Sequence, residues 1–211
     1  MIPLDVLVTF FATALILGVV PGPDNLFVLT QAAAKGRASG IVVTFGLLTG
    51  LLVHTIAVAL GISVIFKTSP VAFTILKVFG VGYLLYLAYG AFRANKESIK
   101  DRNKKPTSLV SLYRRGIIMN ISNPKISIFF LAFLPQFTDP ARGEVSLQVV
   151  ILGVVFIIAT LIIFLIISFL AGTIGDYLKN SDKAQTYLNR IAGTVFVGLA
   201  LKLALSENSS L

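Results

Sequence analysis

The sequence predicts an all-α integral membrane protein with six transmembrane helices. Of its 211 residues, 56% are hydrophobic and only 13% are charged, whereas a soluble domain carries about 25% charged residues. Six apolar stretches are long enough to cross the hydrocarbon core of a bilayer, which is roughly 30 Å thick. We place them near residues 4–34, 40–66, 71–92, 113–137, 146–172 and 184–205. Because only short connections remain, we expect residues 1–211 to form a single membrane domain.

The first predicted helix contains the motif Pro21-Gly22-Pro23-Asp24. As one continuous helix, residues 4–34 would measure about 46 Å at 1.5 Å per residue, which exceeds the thickness of the hydrocarbon core. Proline removes a backbone donor and interrupts a helix. We therefore expect this helix to break at Pro21, Gly22 and Pro23, near the middle of the membrane.

The second predicted helix carries the single histidine of the chain, His54, at its middle. Histidine titrates near neutral pH, so His54 is a candidate proton carrier. The alternative is a hydrogen-bonded packing residue, which is the commoner role of a lone histidine in an apolar helix. Gly46 and Gly50 form a GxxxG pair in the same helix, and this pattern predicts close packing against another helix.

The fourth predicted helix contains a second proline motif, Asn123-Pro124-Lys125, and a further proline, Pro135. We expect Pro124 and Pro135 to interrupt this helix as the first motif interrupts helix 1. A carbonyl four residues before a proline loses its normal donor. The free carbonyls are therefore predicted to be those of Leu17, Val19 and Asn120.

With three crossings in each half, the second half enters the membrane from the opposite side to the first. An odd number of crossings per half is what an inverted repeat requires. The predicted repeats span about 1–92 and about 113–205, joined by a basic linker at about 93–115. Two pairs of short segments fall at corresponding helices: Gly22-Pro23-Asp24 with Asn123-Pro124-Lys125, and Lys77-Val78-Phe79-Gly80 with Arg190-Ile191-Ala192-Gly193. The sequence thus predicts a 3+3 inverted repeat with helices 1 and 4 broken.

The net charge of +9 is distributed unevenly over the connections. Thirteen basic residues fall on one side: Lys35, Arg37, Arg93, Lys96, Lys100, Arg102, Lys104, Lys105, Arg114, Arg115, Lys179, Lys183 and Arg190. The other side carries Lys67, Lys77, Arg142 and Lys202. Cytoplasmic connections carry the excess of Lys and Arg, so we expect both termini outside. Basic loops beside a membrane are typical of topology and lipid attraction, and we expect no nucleic-acid partner.

The two proline motifs place an acid, Asp24, and a base, Lys125, near the centre of the bilayer. Ionisable residues at that depth usually belong to a substrate or ion pathway. The helical segments that resume after the breaks would both direct their N-termini to one central region, which suits an anionic group. An acid is favoured at such an end and a lysine is not, so Lys125 needs an anionic partner. The alternative is a structural ion pair between Asp24 and Lys125.

Further polar residues are predicted to join this central site. Asn25 follows Asp24, while Asn120 and Asn123 lie about one turn apart before Lys125. Gln136 is eleven residues from Lys125, which places both on one face of a continuous helix. With one histidine and no cysteine, a transition-metal cage is hard to build, and the sequence contains no nucleophile–base constellation. We expect no metal, no cofactor and no enzymatic activity.

Four segments of the chain resemble the LysE/RhtB superfamily of bacterial amino-acid exporters. They are Pro21-Gly22-Pro23-Asp24, the stretch from Gly50 to His54, Gly82-Tyr83-Leu84 with Tyr86-Leu87, and Asn123-Pro124-Lys125 through Phe133-Leu134-Pro135-Gln136-Phe137. The resemblance runs over nearly the whole chain in the same order. It implies a multi-pass protein of the bacterial inner membrane that exports amino acids at the expense of an ion gradient.

The Asn-Pro-Lys motif is similar to that of the branch exporting homoserine, threonine and other neutral amino acids. A central cation at Lys125 would repel a cationic substrate, which agrees with that branch. The resulting hypothesis is alternating-access export of a small zwitterion by proton antiport, with Asp24 and His54 as proton-coupling candidates. The resemblance leaves a homodimer open. The alternatives are an inorganic-cation exporter and a non-transporting membrane scaffold.

Overall fold

The computed structural model describes residues 2–68, 70–93, 108–180 and 182–205, and all regular elements in these ranges are helical. The α-helices are α1 (Leu4–Val19), α2 (Pro23–Lys35), α3 (Arg37–Thr68), α4 (Pro70–Arg93), α5 (Leu109–Ile121), α6 (Pro124–Ile128), α7 (Val145–Asn180) and α8 (Asp182–Leu205). Between α6 and α7 lie a π-helical turn, Phe129–Phe133, and two 3₁₀ turns, Leu134–Phe137 and Pro140–Arg142.

Three unbroken helical stretches are long and apolar enough to cross a membrane: Arg37–Gly61, Val145–Thr173 and Gln185–Leu205. Two bent pairs pass the same test jointly, α1 with α2 at an angle of 59° and α5 with Pro124–Phe137 at an angle of 48°. By length and composition, the described ranges therefore hold three candidate spans, or up to five when each bent pair counts as one. The predicted all-α membrane fold is confirmed at this level.

The observed helices depart from the predicted boundaries mainly around the basic connections. The first part of the fourth predicted span is α5, which begins at Leu109. Arg114 and Arg115 are therefore exposed residues on α5 and not part of a loop. The fifth predicted span is α7, which continues to Asn180, so Lys179 lies on a helix as well. Five basic residues of the predicted linker lie outside the described residues: Lys96, Lys100, Arg102, Lys104 and Lys105.

The packing brings each bent pair against a long helix from the other half of the chain. α7 packs against both α1 and α2, and α3 packs against α5. α3 and α7 also pack against each other, and α4 packs mainly against α8. The chain passes from α2 to α3 through Gly36, whose φ of 87° lies in the region that favours glycine.

The backbones of α3 and α5 touch at small residues, as the GxxxG pair predicts. A Cβ atom added to Gly46 would lie 3.1 Å from the Cα of Gly116, and the converse addition gives the same distance. One turn further along α3, a Cβ on Gly50 would lie 2.7 Å from the side chain of Asn120. Gly50 therefore makes the space that Asn120 occupies, and the predicted close packing is confirmed.

Six phenylalanines form an aromatic cluster between α1, α7 and the segment that follows α6. They are Phe10, Phe129, Phe130, Phe133, Phe137 and Phe156. Ring centroids lie 5.0 Å apart for Phe10 with Phe137 and for Phe129 with Phe156, and 5.2 Å apart for Phe130 with Phe156. Such pairs each contribute about 0.5–1.5 kcal/mol beyond their area of contact. The cluster fixes the π-helical turn against the core.

Candidate functional site

The helix breaks occur at the two proline motifs. α1 ends at Val19, Gly22 adopts an extended backbone, and α2 begins at Pro23 with Asp24 in its first turn. α5 ends at Ile121, and α6 begins at Pro124 with Lys125 in its first turn. Each break therefore places its ionisable residue directly after the interruption.

The Asp24 carboxylate is buried and is bound by the opposite break. Its side chain is only 2% exposed, and its Oδ2 accepts a hydrogen bond of 2.9 Å from Nδ2 of Asn120. The other oxygen, Oδ1, has no hydrogen-bond partner among the described residues. Asn123 also lies near this carboxylate. One of the two carboxylate oxygens of Asp24 is thus hydrogen-bonded, and its donor is Asn120, which the sequence analysis assigns to the same site.

The Lys125 ammonium is buried as well, and it reaches across to the first break. The residue is 6% exposed, and its Nζ donates to the backbone carbonyl of Val20 over 3.2 Å. The ammonium passes close to Gly22, where an added Cβ would lie 3.0 Å from Nζ. Glycine at this position therefore gives the lysine its path to the carbonyl.

The two opposite charges do not pair with each other. Within the described ranges, no nitrogen of Lys125 lies within the 4.0 Å that defines an ion pair with an Asp24 oxygen. A carboxylate and an ammonium that are both buried normally pair to offset their lost hydration. Here each charge is held by a neutral group of the opposite break, so the structural ion pair that the sequence leaves open is not formed.

Two other predicted residues bind carbonyls beside the breaks. Asn25 donates through Nδ2 to the carbonyl of Gly18 over 2.6 Å. His54 lies 3.2 Å through Nε2 from the carbonyl of Asn120. Because a carbonyl only accepts, Nε2 carries the proton in this contact. The Asn120 carbonyl is not free as predicted, because it also accepts from the backbone nitrogen of Asn123 over 3.0 Å. At the first break the side chains of Asn25 and Lys125 bind the carbonyls of Gly18 and Val20, not the predicted carbonyls of Leu17 and Val19.

The unsatisfied polar atoms of the site are mostly acceptors. Oδ1 of Asp24, Asn25 and Asn120 are all buried, and none finds a donor within the described part of the chain. Each amide orientation is fixed by the hydrogen bond that its nitrogen makes. Asn123 is oriented the other way, because its Oδ1 accepts from the backbone nitrogen of Lys125 over 3.0 Å and its Nδ2 is left over.

Asp24, Asn25, Asn120 and Lys125 line a cavity of about 10 Å³, whereas the predicted site residues Asn123 and His54 do not. This cavity is close in volume to the space that one water molecule needs. Its lining comes from both breaks and from α3 and α7: Leu17, Gly18, Asp24, Asn25, Leu51, Asn120, Lys125, Ile126, Phe156, Thr160 and Phe164. The aromatic cluster meets this wall at Phe156. In this conformation the cavity beside the unpaired charges is therefore too small to hold more than about one water molecule.

Comparison with known proteins identifies the family. The model of the LysE type translocator family matches residues 15–207. The chain is a LysE type translocator. This membership explains the apolar helices and identifies a multi-pass membrane protein whose family moves small molecules across the bilayer.

Three relatives match this translocator over almost the full length of both chains. A membrane protein of Vibrio cholerae is 27% identical over 204 residues, which are 97% of this chain and 98% of the relative. Membrane protein YrhP of Bacillus subtilis is 29% identical over 209 residues, 95% and 99% of the two chains. A membrane protein of Pseudomonas aeruginosa is 28% identical over 199 residues, 90% and 92% of the two chains. All three are named as uncharacterized, and no solved structure matches.

Gln136 is not brought to the cavity of this translocator. Its Nε2 donates to the carbonyl of Ala132 over 3.3 Å, and Gln136 is not among the residues that line the cavity. The predicted face assumed a continuous helix from Lys125, but α6 has five residues and is followed by the π-helical turn. Pro135 lies in the first turn of the 3₁₀ segment that follows. The wide and tight turns change the angular relation of the two side chains.

Thr160 is a lining residue that the sequence analysis missed. It lies on α7, is 4% exposed, and its Oγ1 has no partner among the described residues. The available signal is a hydroxyl in the most apolar span, Val145–Thr173, whose mean hydropathy is 3.4. Threonine is common in membrane helices, so this signal alone does not separate a site residue from a packing residue.

Proposed function

We propose that this translocator exports small neutral zwitterionic amino acids, such as threonine or homoserine, across the bacterial inner membrane by proton antiport. One observation carries the proposal: an acid and a base line the same small cavity without pairing with each other. A zwitterion presents the complementary charges in one small molecule. The family membership supports translocation, and the charges of the cavity support the choice of substrate.

The acceptor-rich part of the cavity suits the ammonium group of an amino acid. A primary ammonium has three donors and no acceptor. The free oxygens of Asp24, Asn25 and Asn120 are acceptors, and one of them carries a negative charge. Burial of an ammonium against neutral groups alone would be costly, so Asp24 supplies the compensating charge.

The opposite part of the cavity suits the carboxylate group. The Lys125 ammonium uses one of its donors on the Val20 carbonyl and has further donors to offer. Nδ2 of Asn123, two residues before Lys125, is a neutral donor without a partner among the described residues, although Asn123 does not line the cavity in this conformation. A substrate with a positive side chain would bring a second cation toward Lys125, and the resulting repulsion in a site of low dielectric favours neutral amino acids.

Proton coupling is assigned to Asp24, because a proton and a substrate ammonium would compete for one carboxylate. His54 is the second candidate, since it contacts the backbone of Asn120, whose amide binds Asp24. Competition for a single group makes loading of substrate and loading of a proton mutually exclusive. That exclusion is the requirement of an antiporter.

Transport further requires that the cavity open alternately to the two sides of the membrane. The volume of even the smallest amino acid, free glycine, is several times that of a water molecule. The cavity of about 10 Å³ therefore cannot admit an amino acid without a rearrangement. The proposed framework is six spans in a 3+3 inverted repeat with both termini outside, in which α4 and α8 are the third spans of the two halves. Rocking of two such units about a central site is a common form of alternating access.

The test is counterflow in proteoliposomes preloaded with one unlabelled amino acid at a time. The panel comprises the proteinogenic amino acids and homoserine, each with its labelled form outside. Accumulation of labelled threonine or homoserine, with no accumulation of labelled lysine or arginine, is the expected result. Counterflow needs no ion gradient, so it separates substrate recognition from coupling.

Proton coupling is measured separately, by imposing a pH gradient on the same vesicles. An inward proton gradient is expected to drive amino-acid efflux, with a matching pH change inside the vesicles. Failure of counterflow across the whole panel would favour the scaffold alternative. Uptake of a metal cation without any amino-acid counterflow would favour the cation exporter.

A further inference from the structure

Thr160 differs from the other buried hydroxyl residues on the helices of this protein. Buried Thr44, Thr55 and Ser168 each donate to the carbonyl four residues earlier, over 2.8–2.9 Å. Such back-bonding is the usual way in which a buried helical hydroxyl is satisfied. The Thr160 hydroxyl makes no such bond and has no other partner in the described ranges. A buried hydroxyl without a partner is costly.

The position of Thr160 explains which ligand could offset that cost. It lines the cavity that holds Asp24 and Lys125, and it is 96% buried, being 4% exposed. The other lining residues of α7 are Phe156 and Phe164, about one turn away on either side. Leu17, Leu51 and Ile126 complete the apolar part of the lining. The part of the cavity beyond the charged groups is thus an apolar wall with one hydroxyl.

We propose that Thr160 is the residue by which this translocator selects amino acids with a hydroxyl on a small side chain over apolar amino acids of the same shape. The inference rests on the proposed function, because Asp24 and Lys125 must first hold the two charged ends of the substrate. The side chain is then the remaining part of the molecule that can reach α7. A hydroxyl both donates and accepts, so it satisfies Thr160, while a methyl group in its place leaves Thr160 unsatisfied.

The test uses two matched pairs, threonine with valine as substrates and Thr160 with Thr160→Val in the protein. Threonine and valine have the same shape, and so do the two protein variants. Counterflow of each labelled amino acid is measured at several concentrations, so that the ratio of kcat/KM for threonine and valine is obtained. Thr160→Ser retains the hydroxyl. Thr44→Val removes a buried hydroxyl that does not line the cavity.

The expected result is a preference for threonine of about tenfold or more in the wild-type protein and in Thr160→Ser, the value of one buried hydrogen bond. In Thr160→Val the ratio should fall to about one, with valine counterflow kept or increased. Thr44→Val should keep the wild-type ratio. Retained valine counterflow shows that Thr160→Val is folded, and Thr160→Ala provides a second variant without the hydroxyl.

Two results would overturn the assignment. One is a wild-type ratio near one, and the other is a preference for threonine that survives in both Thr160→Val and Thr160→Ala. Either would refute only the role of Thr160, because the amino acids are still carried. If wild-type vesicles accumulate no amino acid of the panel, the proposed function itself is wrong and the role of Thr160 is refuted with it.

Discussion

The two proline breaks look alike in sequence but solve the same electrostatic problem in opposite ways. At the first break the residue before the helix, Gly22, offers no side-chain cap, and the acid Asp24 lies in the first turn. At the second break Asn123 caps the backbone nitrogen of Lys125, and the base lies in the first turn. An acid is favoured at a helix N-terminus and a base is not. The first break is uncapped and acidic, and the second is capped and basic.

The continuation of each helix differs as well. α2 runs as a regular helix for 13 residues, whereas α6 has five residues before the π-helical turn. Lys125 turns away from its own helix and donates to the Val20 carbonyl of the other break. Both charges make a hydrogen bond with the opposite half of the chain, but the N-terminus of its own helix favours Asp24 and disfavours Lys125. Substitutions at five positions of the site test this difference.

The largest effect is expected from removal of either charge. Lys125→Met should lower threonine counterflow by at least about 100-fold, because loss of one charged partner in a buried site costs about 3–5 kcal/mol. Asp24→Asn should abolish the response to a pH gradient, since the amide cannot carry the proton. Gradient-driven efflux at the wild-type rate in Asp24→Asn, or wild-type counterflow in Lys125→Met, would remove that residue from the site.

A smaller effect is expected from Gly22→Ala. The new methyl group would lie 3.0 Å from Nζ of Lys125, so the ammonium must shift by a few tenths of an ångström, and we expect this shift to break its hydrogen bond to the Val20 carbonyl. Loss of this charge-assisted hydrogen bond should raise the KM for threonine about tenfold with little loss of thermal stability. Gly82→Ala is the matched control, because a Cβ there meets no atom within 4 Å. An equal change in both variants would show that Gly22 has no special relation to Lys125.

Asn123→Ala tests the cap of the second break. Loss of an N-cap side chain costs about 1 kcal/mol of stability, so the apparent Tm in detergent should fall. Asn123→Ser can restore the cap and should recover the Tm. An unchanged Tm in Asn123→Ala would show that the bond to the backbone nitrogen of Lys125 does not stabilise the break.

The smallest effect is expected from His54→Gln. Glutamine can still donate to the Asn120 carbonyl, so counterflow should remain within about twofold of wild type. His54→Leu removes one donor of the Asn120 carbonyl, which keeps the backbone nitrogen of Asn123 as a donor over 3.0 Å, so stability should fall by about 0.5–1.5 kcal/mol, the net value of one hydrogen bond. If His54→Gln instead abolishes the pH dependence of efflux while counterflow persists, His54 belongs to the proton pathway.

The sequence predicts the spans and the breaks because both depend on local properties. Apolar runs set the helices, and proline sets the interruptions, so Asp24, Asn120 and Lys125 were assigned to one site before any packing was known. The carbonyl that Lys125 binds could not be predicted, since Val20 lies 105 residues away and the contact depends on how the two halves meet. The prediction that Gln136 lies on the same face as Lys125 is wrong, because a π-helical turn intervenes and such a turn has no clear sequence signature. Thr160 could not be predicted, because what sets it apart is a hydroxyl without a hydrogen-bond partner among the described residues, and this is visible only in the structure.

The packing of each bent pair against the opposite half of the chain also sets the order in which this protein can be assembled. α1, α2 and α3 are synthesised first, yet their neighbours α5 and α7 follow only later. During that interval Asp24 lacks the amide of Asn120, and the exposed backbone of Gly46 lacks its counterpart on Gly116. The amino-terminal half alone therefore leaves the Asp24 carboxylate without the hydrogen bond that it accepts in the full chain. Synthesis of α5 supplies both missing groups, and α7 then packs against α1 and α2.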